Sequence, residues 1–387
     1  MIILGIETSC DETALCLLEV NDKEEYKVLG NIVLSQIKIH EQYGGVFPMV
    51  AKREHAKHLV PLLEQLMKES DIPTTDVSNP NASEVVTGLL QEFESDLLGN
   101  LLSSSLVSKQ PIIDRIAVTH GPGLEPTLWV GVNFAKALHM TWNVPVVTVN
   151  HMEGHILSPL VEPRTDQSIH EFKKLPQIPL PALSLLISGG HTELVSIEAV
   201  GSYSIIGSTR DDAVGEAFDK VARMLGLPYP GGPQVSMLAM KARKENLPNV
   251  IDLPRPMIAS KDFDFSFSGL KTSVLYALKE LPSPLPEASM AALCREFEDA
   301  VTDVLVSKTK KALDKHVPKS LIIGGGVIAN MHIRQSFEKL AKEFGIPLLL
   351  PHNHLTGDNA LMIALAGYYS KVATNISDIK ATGNLSL

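Results

Sequence analysis

Ile2-Ile3-Leu4-Gly5-Ile6 is an apolar run that leads into the small, polar stretch Glu7-Thr8-Ser9-Cys10-Asp11-Glu12-Thr13, and Ala14 to Val20 is mostly apolar again. The pattern reads as a strand, a polar turn and a returning strand. It comes back much later. Leu183 to Ile187 is mostly apolar, Ser188-Gly189-Gly190-His191-Thr192 makes the turn, and Leu194 to Val200 continues. Two such units far apart in one chain predict two related lobes.

A third glycine site, Leu321-Ile322-Ile323-Gly324-Gly325-Gly326 followed by Val327-Ile328-Ala329-Asn330, reads as a buried strand running into a glycine turn and then a helix. Apolar periodicity predicts helices over Ala51 to Lys68, Asn133 to Trp142, Ala213 to Leu225, Ser289 to His316, Met331 to Phe344 and Ala360 to Tyr369. Strands alternating with helices imply an α/β fold. The stretch from about Pro73 to Lys109 is rich in Ser, Asn, Thr and Leu and weakly periodic, and reads as an insertion, partly helical around Glu84 to Val107. Glu162 to Pro181 carries several prolines and mixed charge, as a linker or surface loop near the lobe boundary does.

The chain has 387 residues, room for two or three domains, with 44% apolar and 20% charged residues, as a soluble globular protein has. No apolar run approaches the roughly 20 residues of a membrane helix, and no secretory signal precedes the first strand. Cys10, Cys16 and Cys294 form no C-x-x-C pair, which fits a reducing cytoplasm and not a disulfide scaffold or a cysteine-rich zinc site. The net charge of −10 predicts weak affinity for RNA by this chain alone and a helper subunit if RNA is the substrate.

Among chemistry-bearing residues, His151-Met152-Glu153-Gly154-His155 places two histidines at i and i+4, on one helical face and within reach of one metal. The pair follows the strand-like Val144 to Val149, where sites of α/β proteins gather. Asp358 in Thr356-Gly357-Asp358-Asn359 supplies a third ligand, and two histidines with a carboxylate suit iron(II) or zinc. Core or solvated histidines are the competing reading. The zinc-protease pattern H-E-x-x-H is not met, because Met152 stands where its glutamate belongs.

The glycine loops at Ser188 to Thr192 and Gly324 to Gly326 let backbone N–H groups approach phosphate or ribose oxygens, although simple tight turns explain them too. Neither a P-loop nor a G-x-G-x-x-G dinucleotide motif is present. Glu216 and Asp219, at i and i+3, share a helix face suited to ribose hydroxyls, and Gly226 to Gly232 reads as a rigid loop beside them. Lys52-Arg53-Glu54-His55-Ala56-Lys57-His58 is the best local basic cluster for RNA phosphate, against the alternative of a solvated helix face.

Several motifs together resemble the bacterial branch of the universal tRNA threonylcarbamoyladenosine synthase family, once called O-sialoglycoprotein endopeptidases. They are Gly5 to Thr13, Tyr43 to Pro48, Thr119 to Leu124, Asn150 to His155, Leu186 to Thr192, Gly215 to Lys220, Tyr229 to Pro233, Asp264 to Thr272, Gly325 to Asn330 and Gly357 to Asn359, and they span nearly the whole chain. The resemblance implies the two-lobed actin, sugar-kinase and Hsp70-like (ribonuclease-H-like) fold with a central cleft. The first lobe is expected over 1–150, with the insertion near 74–110 and the C-terminal segment about 359–387 joining it. The second is expected over 151–358.

The resemblance also implies transfer of threonylcarbamoyl from threonylcarbamoyl-AMP to N6 of adenosine 37 in tRNAs reading codons that begin with A, with release of AMP. His151, His155 and Asp358 would hold one divalent metal, iron(II) before zinc. The adenylate would lie along Leu186, Ile187, Ser188, Gly189, Gly190, Asp219, Gly232 and Asn330, and Asp11 and Glu12 are the expected acid-base or positioning residues. A paralogous inactive partner, a small ATPase, tRNA and a cytoplasmic location belong to the same expectation. The chain departs from the family pattern at Glu125 to Trp129, in the insertion, and in a C-terminus lacking the arginine-tryptophan-proline tail. An actin-like nucleotide-binding regulator and a metalloprotease are the alternative readings.

Overall fold

Leu4 lies opposite Leu17 and Ile6 opposite Leu15, so the first two strands, Ile2–Glu7 and Glu12–Val20, form the antiparallel hairpin that the apolar-polar-apolar pattern predicts. The computed structural model describes residues 1–92, 94–163, 171–373 and 375–387. It divides into two compact units, one of Met1–Ile39, Val46–Gln177 and Gly357–Leu387, the other of His40–Gly45 and Ile178–Thr356.

In the first unit the sheet runs Val146–Asn150, Arg115–Gly121, Ile2–Glu7, Glu12–Val20, Glu25–Ser35, Lys173–Lys174. The first three strands are parallel and the rest antiparallel. In the second unit it runs Leu348–Leu349, Ser320–Gly324, Ala182–Ile187, Thr192–Ala199, Ser202–Ser208, with the same change from parallel to antiparallel. Numbered within each unit, and leaving aside the short edge strand Lys173–Lys174, both sheets have the order 3-2-1-4-5. The repeated strand-turn-strand pattern is therefore repeated topology. This is an α/β fold of the actin and sugar-kinase type.

The helix Ala360–Tyr369 is buried over Ala360 to Gly367 and packs on the strands Ile2–Glu7, Glu12–Val20 and Arg115–Gly121. A Cβ on Gly5 would lie 2.3 Å from the Ala360 carbonyl oxygen, so the bare glycine lets that helix sit against the sheet. The first unit also extends past residue 150, where the boundary was expected. The helix His151–Leu157 packs on Ala360–Tyr369, and Lys174 pairs with Glu25. The chain changes units at Gln177/Ile178, inside the Glu162 to Pro181 segment, and returns at Thr356/Gly357. Asp358 thus belongs to the first unit, with both histidines. Residues 164–170 of that segment lie outside the described residues.

Three other expectations change. The helix predicted from Asn133 begins at Glu125, because Pro126 falls in the first turn, where its missing N–H costs nothing. Gly226 to Gly232 is not one loop, since the helix Gly231–Lys244 starts inside it, and Ser268–Glu280 is a further helix. The glycine turn after Ser320–Gly324 passes through a short 3-10 turn, Gly326–Ala329, before Met331–Phe344. In the insertion, Thr74–Asp76 pairs with Lys109–Pro111, and the helices Ala82–Leu90 and Ser95–Ser103 lie between them, with residue 93 outside the described residues.

Candidate metal centre and glycine-lined cavity

The side chain of Asn150 caps the helix His151–Leu157 by accepting from the Met152 N–H at 2.9 Å. This fixes His151 as the first helical residue and His155 one turn on. Gly154 faces Ile363 and Met362, where a Cβ would lie 3.0 Å from Ile363 Cδ1, so the short helix sits close to Ala360–Tyr369. Asp358 stands two residues before that second helix and meets both imidazoles. His151 Nε2 is 3.3 Å and His155 Nε2 3.2 Å from Asp358 Oδ1, and the donor atoms of the three residues lie within 4.8 Å of one another.

His151 Nδ1 lies 3.0 Å from Glu7 Oε2 and 3.2 Å from Ser9 Oγ. Glu7 is wholly buried and also accepts from Thr119 Oγ1 at 2.7 Å and from the Ser9 N–H at 2.5 Å. Burial opposes protonation of His151, but the carboxylates of Asp358 and Glu7 outweigh it and hold its pKa well above the ordinary imidazole value. Burial pulls His155 the other way, below that value. Asp358 is desolvated too, yet the two imidazoles hold its carboxyl far below the usual carboxylate range.

His155 Nε2 is misaligned for a hydrogen bond to Asp358, and neither of its buried ring nitrogens has a hydrogen-bond partner among the described residues. With Glu7 holding a proton on His151 Nδ1, both Nε2 lone pairs converge on a carboxylate oxygen. That arrangement is repulsive until a cation or an extra proton enters it. The residues fit a divalent metal.

In the second unit a cavity of ≈ 320 Å³ is lined by Gly189, Gly215, Phe218, Asp219, Pro230, Gly232, Pro233, Ser236, Gly326, Val327, Ala329 and Asn330. Gly325 has φ +95°, and a Cβ there would lie 2.3 Å from the Ile187 carbonyl oxygen, so only glycine lets this turn pass the strand end. Asp219 Oδ1 accepts from the Gly231 N–H at 2.8 Å and so ties the start of Gly231–Lys244 to the cavity wall. Asn330 is fully engaged: its Oδ1 caps Met331–Phe344 by accepting from His332 and Ile333, and its Nδ2 donates to Glu298 at 2.5 Å.

The family model described as tRNA N6-adenosine threonylcarbamoyltransferase (TsaD) matches residues 27–79 and 95–365. The chain belongs to this family. It is 41% identical over 372 residues to the tRNA N6-adenosine threonylcarbamoyltransferase of Burkholderia lata, covering 95% of this chain and 91% of that protein. The protein of the same name from Polynucleobacter asymbioticus is 40% identical over 386 residues, covering 97% and 94%. A crystal structure of full-length HypF in its phosphate- and nucleotide-bound form has the same fold at a TM-score of 0.54 and 11% identity, covering 95% of this chain and 46% of HypF.

Within this threonylcarbamoyltransferase-family chain the expected site residues separate. Gly189, Asp219, Gly232 and Asn330 line the cavity, whereas Leu186 and Ile187 are fully buried strand residues and Ser188 and Gly190 adjoin the lining in sequence only. Glu216 pairs with Lys220 at 2.7 Å and is not part of the lining. Asp11 and Glu12 belong to the first unit. Asp11 is buried, and its Oδ2 has no hydrogen-bond partner among the described residues. Glu12 accepts from Ser35 Oγ at 3.2 Å, and burial with the charges of Asp11 and Asp358 pushes its pKa up to about 10.

The basic cluster is largely consumed internally. His55 is fully buried between Thr13 Oγ1 at 2.7 Å and the Cys10 carbonyl at 2.9 Å, Lys52 pairs with Glu94 at 3.2 Å, and His58 meets Glu54 at 3.1 Å. Sequence reasoning missed Glu7 and Thr119 as supports of His151. The available signal was an acidic residue ending a fully apolar strand.

Proposed function

We propose that this chain transfers the threonylcarbamoyl group from threonylcarbamoyl-AMP to N6 of adenosine 37 in tRNAs reading codons that begin with A, leaving t6A and releasing AMP. Family membership along nearly the whole chain carries the reading. The glycine-lined cavity supports it, being large enough for a nucleotide-sized ligand and carrying Asp219 as a polar anchor.

The N6 amine forms the new C–N bond, the carbamoyl C–O bond to phosphate breaks, AMP keeps that electron pair, and the amine proton passes to a base. Asp11 meets the requirement for the base, as a buried carboxylate with one oxygen unused. Glu12, protonated at neutral pH, serves as a hydrogen-bond donor. Backbone N–H groups of the glycine turns at Gly189 and Gly326 suit the phosphate. His151, His155 and Asp358 hold one divalent ion, iron(II) in preference to zinc, and Glu7 orients His151. Such an ion supplies Lewis-acid polarisation of the carbamoyl oxygen when bound.

A paralogous inactive subunit and a small ATPase complete the system in the cytoplasm. The net charge of −10 and the internally paired basic cluster support a need for helpers in holding tRNA. No helix among the described residues is long and apolar enough to cross a membrane.

The deciding experiment is nucleoside analysis of tRNA incubated with the chain, those partners, iron(II) and threonylcarbamoyl-AMP, beside a His151→Ala control. Threonylcarbamoyladenosine that appears only with the intact histidine supports the reading. Its absence, while the same partners work with a related transferase, rejects it in favour of nucleotide sensing.

A further inference from the structure

Lys136 is 9% exposed, on the helix Glu125–Trp142, and among the described residues it has no acidic partner within ion-pair distance. Its Nζ instead lies 5.7 Å from the centroid of the Trp129 ring. A buried ammonium held only by an aromatic face is poorly compensated. A second cation, Lys380, is close enough to repel it, and among the described residues Lys380 has no ion pair either. Burial first, and then Lys380, hold the Lys136 pKa below the usual lysine value. Two uncompensated cations brought together by a fold call for an anion.

Lys380 lines a pocket of ≈ 400 Å³ at the carboxyl ends of the parallel strands Arg115–Gly121 and Val146–Asn150, the end of an α/β sheet where ligands bind. The chain after the helix Ala360–Tyr369 forms the other wall. The Ala373 N–H donates to the Val146 carbonyl at 3.0 Å and the Thr382 N–H to the His120 carbonyl at 2.8 Å, which anchors that segment at two points. Thr148, Thr382, Asn375 and His120 add donors to the lining. Asp378 is the one acidic group in the lining; it is exposed and within ion-pair distance of neither lysine. None of these residues belongs to the metal centre or to the glycine-lined cavity.

We propose that Lys136 and Lys380, with the hydroxyl and amide groups around them, form a binding site for a phosphate group. The phosphate comes either from the backbone of tRNA, in which case the site rests on the transferase reading, or from a free small phosphate, in which case it stands apart from it.

The test uses the full chain, stripped of metal by chelator, as wild type, Lys136→Met and Lys380→Gln. Thermal melts with inorganic phosphate, against chloride at matched ionic strength, read the free anion. Fluorescence anisotropy of labelled tRNA across a salt series reads the backbone. A phosphate-specific rise in Tm that both variants lose, with tRNA affinity unchanged, supports the site and assigns a free phosphate. Weaker tRNA binding in both variants, with the slope of log K against log salt reduced by about 1 per lysine, supports the site and assigns the tRNA backbone. A phosphate response that survives in both variants overturns the proposal, as does no response in either assay. Neither assay reads group transfer, so a chain inactive on adenosine 37 leaves the phosphate arm fully informative.

Discussion

Glu7 Oε2 and His151 Nδ1 are 3.0 Å apart although 144 positions separate the two residues in the chain. The contact fixes the imidazole tautomer and leaves Nε2 as the lone-pair donor toward Asp358. A supporting carboxylate of this kind typically carries about 10–100-fold in metal affinity. Glu7→Gln keeps the shape and removes the charge, so divalent-metal affinity should fall by that order, measured by chelator competition, with the Tm of the metal-free protein little changed. Equal metal affinity in Glu7→Gln would remove the supporting role.

Metal binding should release a proton. In the metal-free protein the neighbouring carboxylates keep His151 protonated at neutral pH, whereas His155 is held neutral and Asp358 ionised. A metal at Nε2 therefore displaces about one proton, from His151. Affinity should rise by about tenfold per pH unit below the raised His151 pKa and level off above it. Calorimetric titrations in buffers of different ionisation enthalpy count the proton directly, and a count near zero at pH 7 would contradict this account.

The metal triad could be read from sequence because helical spacing joins His151 to His155, while the support around it could not. Glu7 and Thr119 reach His151 only once the strands Ile2–Glu7 and Arg115–Gly121 lie side by side, and no local pattern encodes that register. Helix ends show the same contrast. Met331–Phe344 was placed to the residue because Asn330 caps its start and Gly345, at φ +65°, ends it. Gly231–Lys244 was hidden because Gly-Gly-Pro reads as a turn, although glycine and proline are compatible with a first helical turn once Asp219 takes the Gly231 N–H. The lobe boundary was displaced because His151–Leu157 belongs with a helix more than 200 residues later in the chain.

Glu12 gives the metal-free protein a pH-dependent weakness. Its pKa rises from 4.5 to about 10 on folding, so the folded state keeps a proton that the unfolded chain surrenders above about 4.5. The stability linked to that proton is complete below the unfolded value and drains away as pH climbs toward the folded one. Glu12→Gln removes the dependence. The variant should match wild type near pH 4 and exceed it at pH 8, by on the order of 1–3 kcal/mol for a half-buried group. Denaturant melts of both proteins at the two pH values read the difference, and parallel curves would show that Glu12 titrates normally.

Gly232 offers a way to close the glycine-lined cavity without disturbing the fold. A Cβ there meets nothing within 4 Å, and the residue lines the cavity from the first turn of Gly231–Lys244. Gly232→Leu should therefore fold with nearly unchanged Tm while filling ligand space. AMP affinity should drop by at least about tenfold, or about 1.4 kcal/mol. Calorimetry with AMP is the readout, and undiminished binding would move the nucleotide elsewhere.

The family match breaks between residues 79 and 95, within the stretch that reads as an insertion, yet the added segment is not loose decoration. Val86, Leu90, Leu97, Leu101 and Leu106 are all fully buried in the core of the first unit. The helices Ala82–Leu90 and Ser95–Ser103 pack on Glu125–Trp142 and Pro48–Ser70 respectively. Truncating a wholly buried leucine costs about 2–5 kcal/mol, so Leu97→Ala should lower stability by that order even though relatives need not possess the residue. Replacing residues 80–104 with a short Gly-Ser linker would uncover the apolar faces of both long helices at once, and such faces seek cover. The shortened chain should self-associate on size-exclusion chromatography where the intact chain does not. A monodisperse, equally stable deletion variant would show that the first unit closes its core without the insertion.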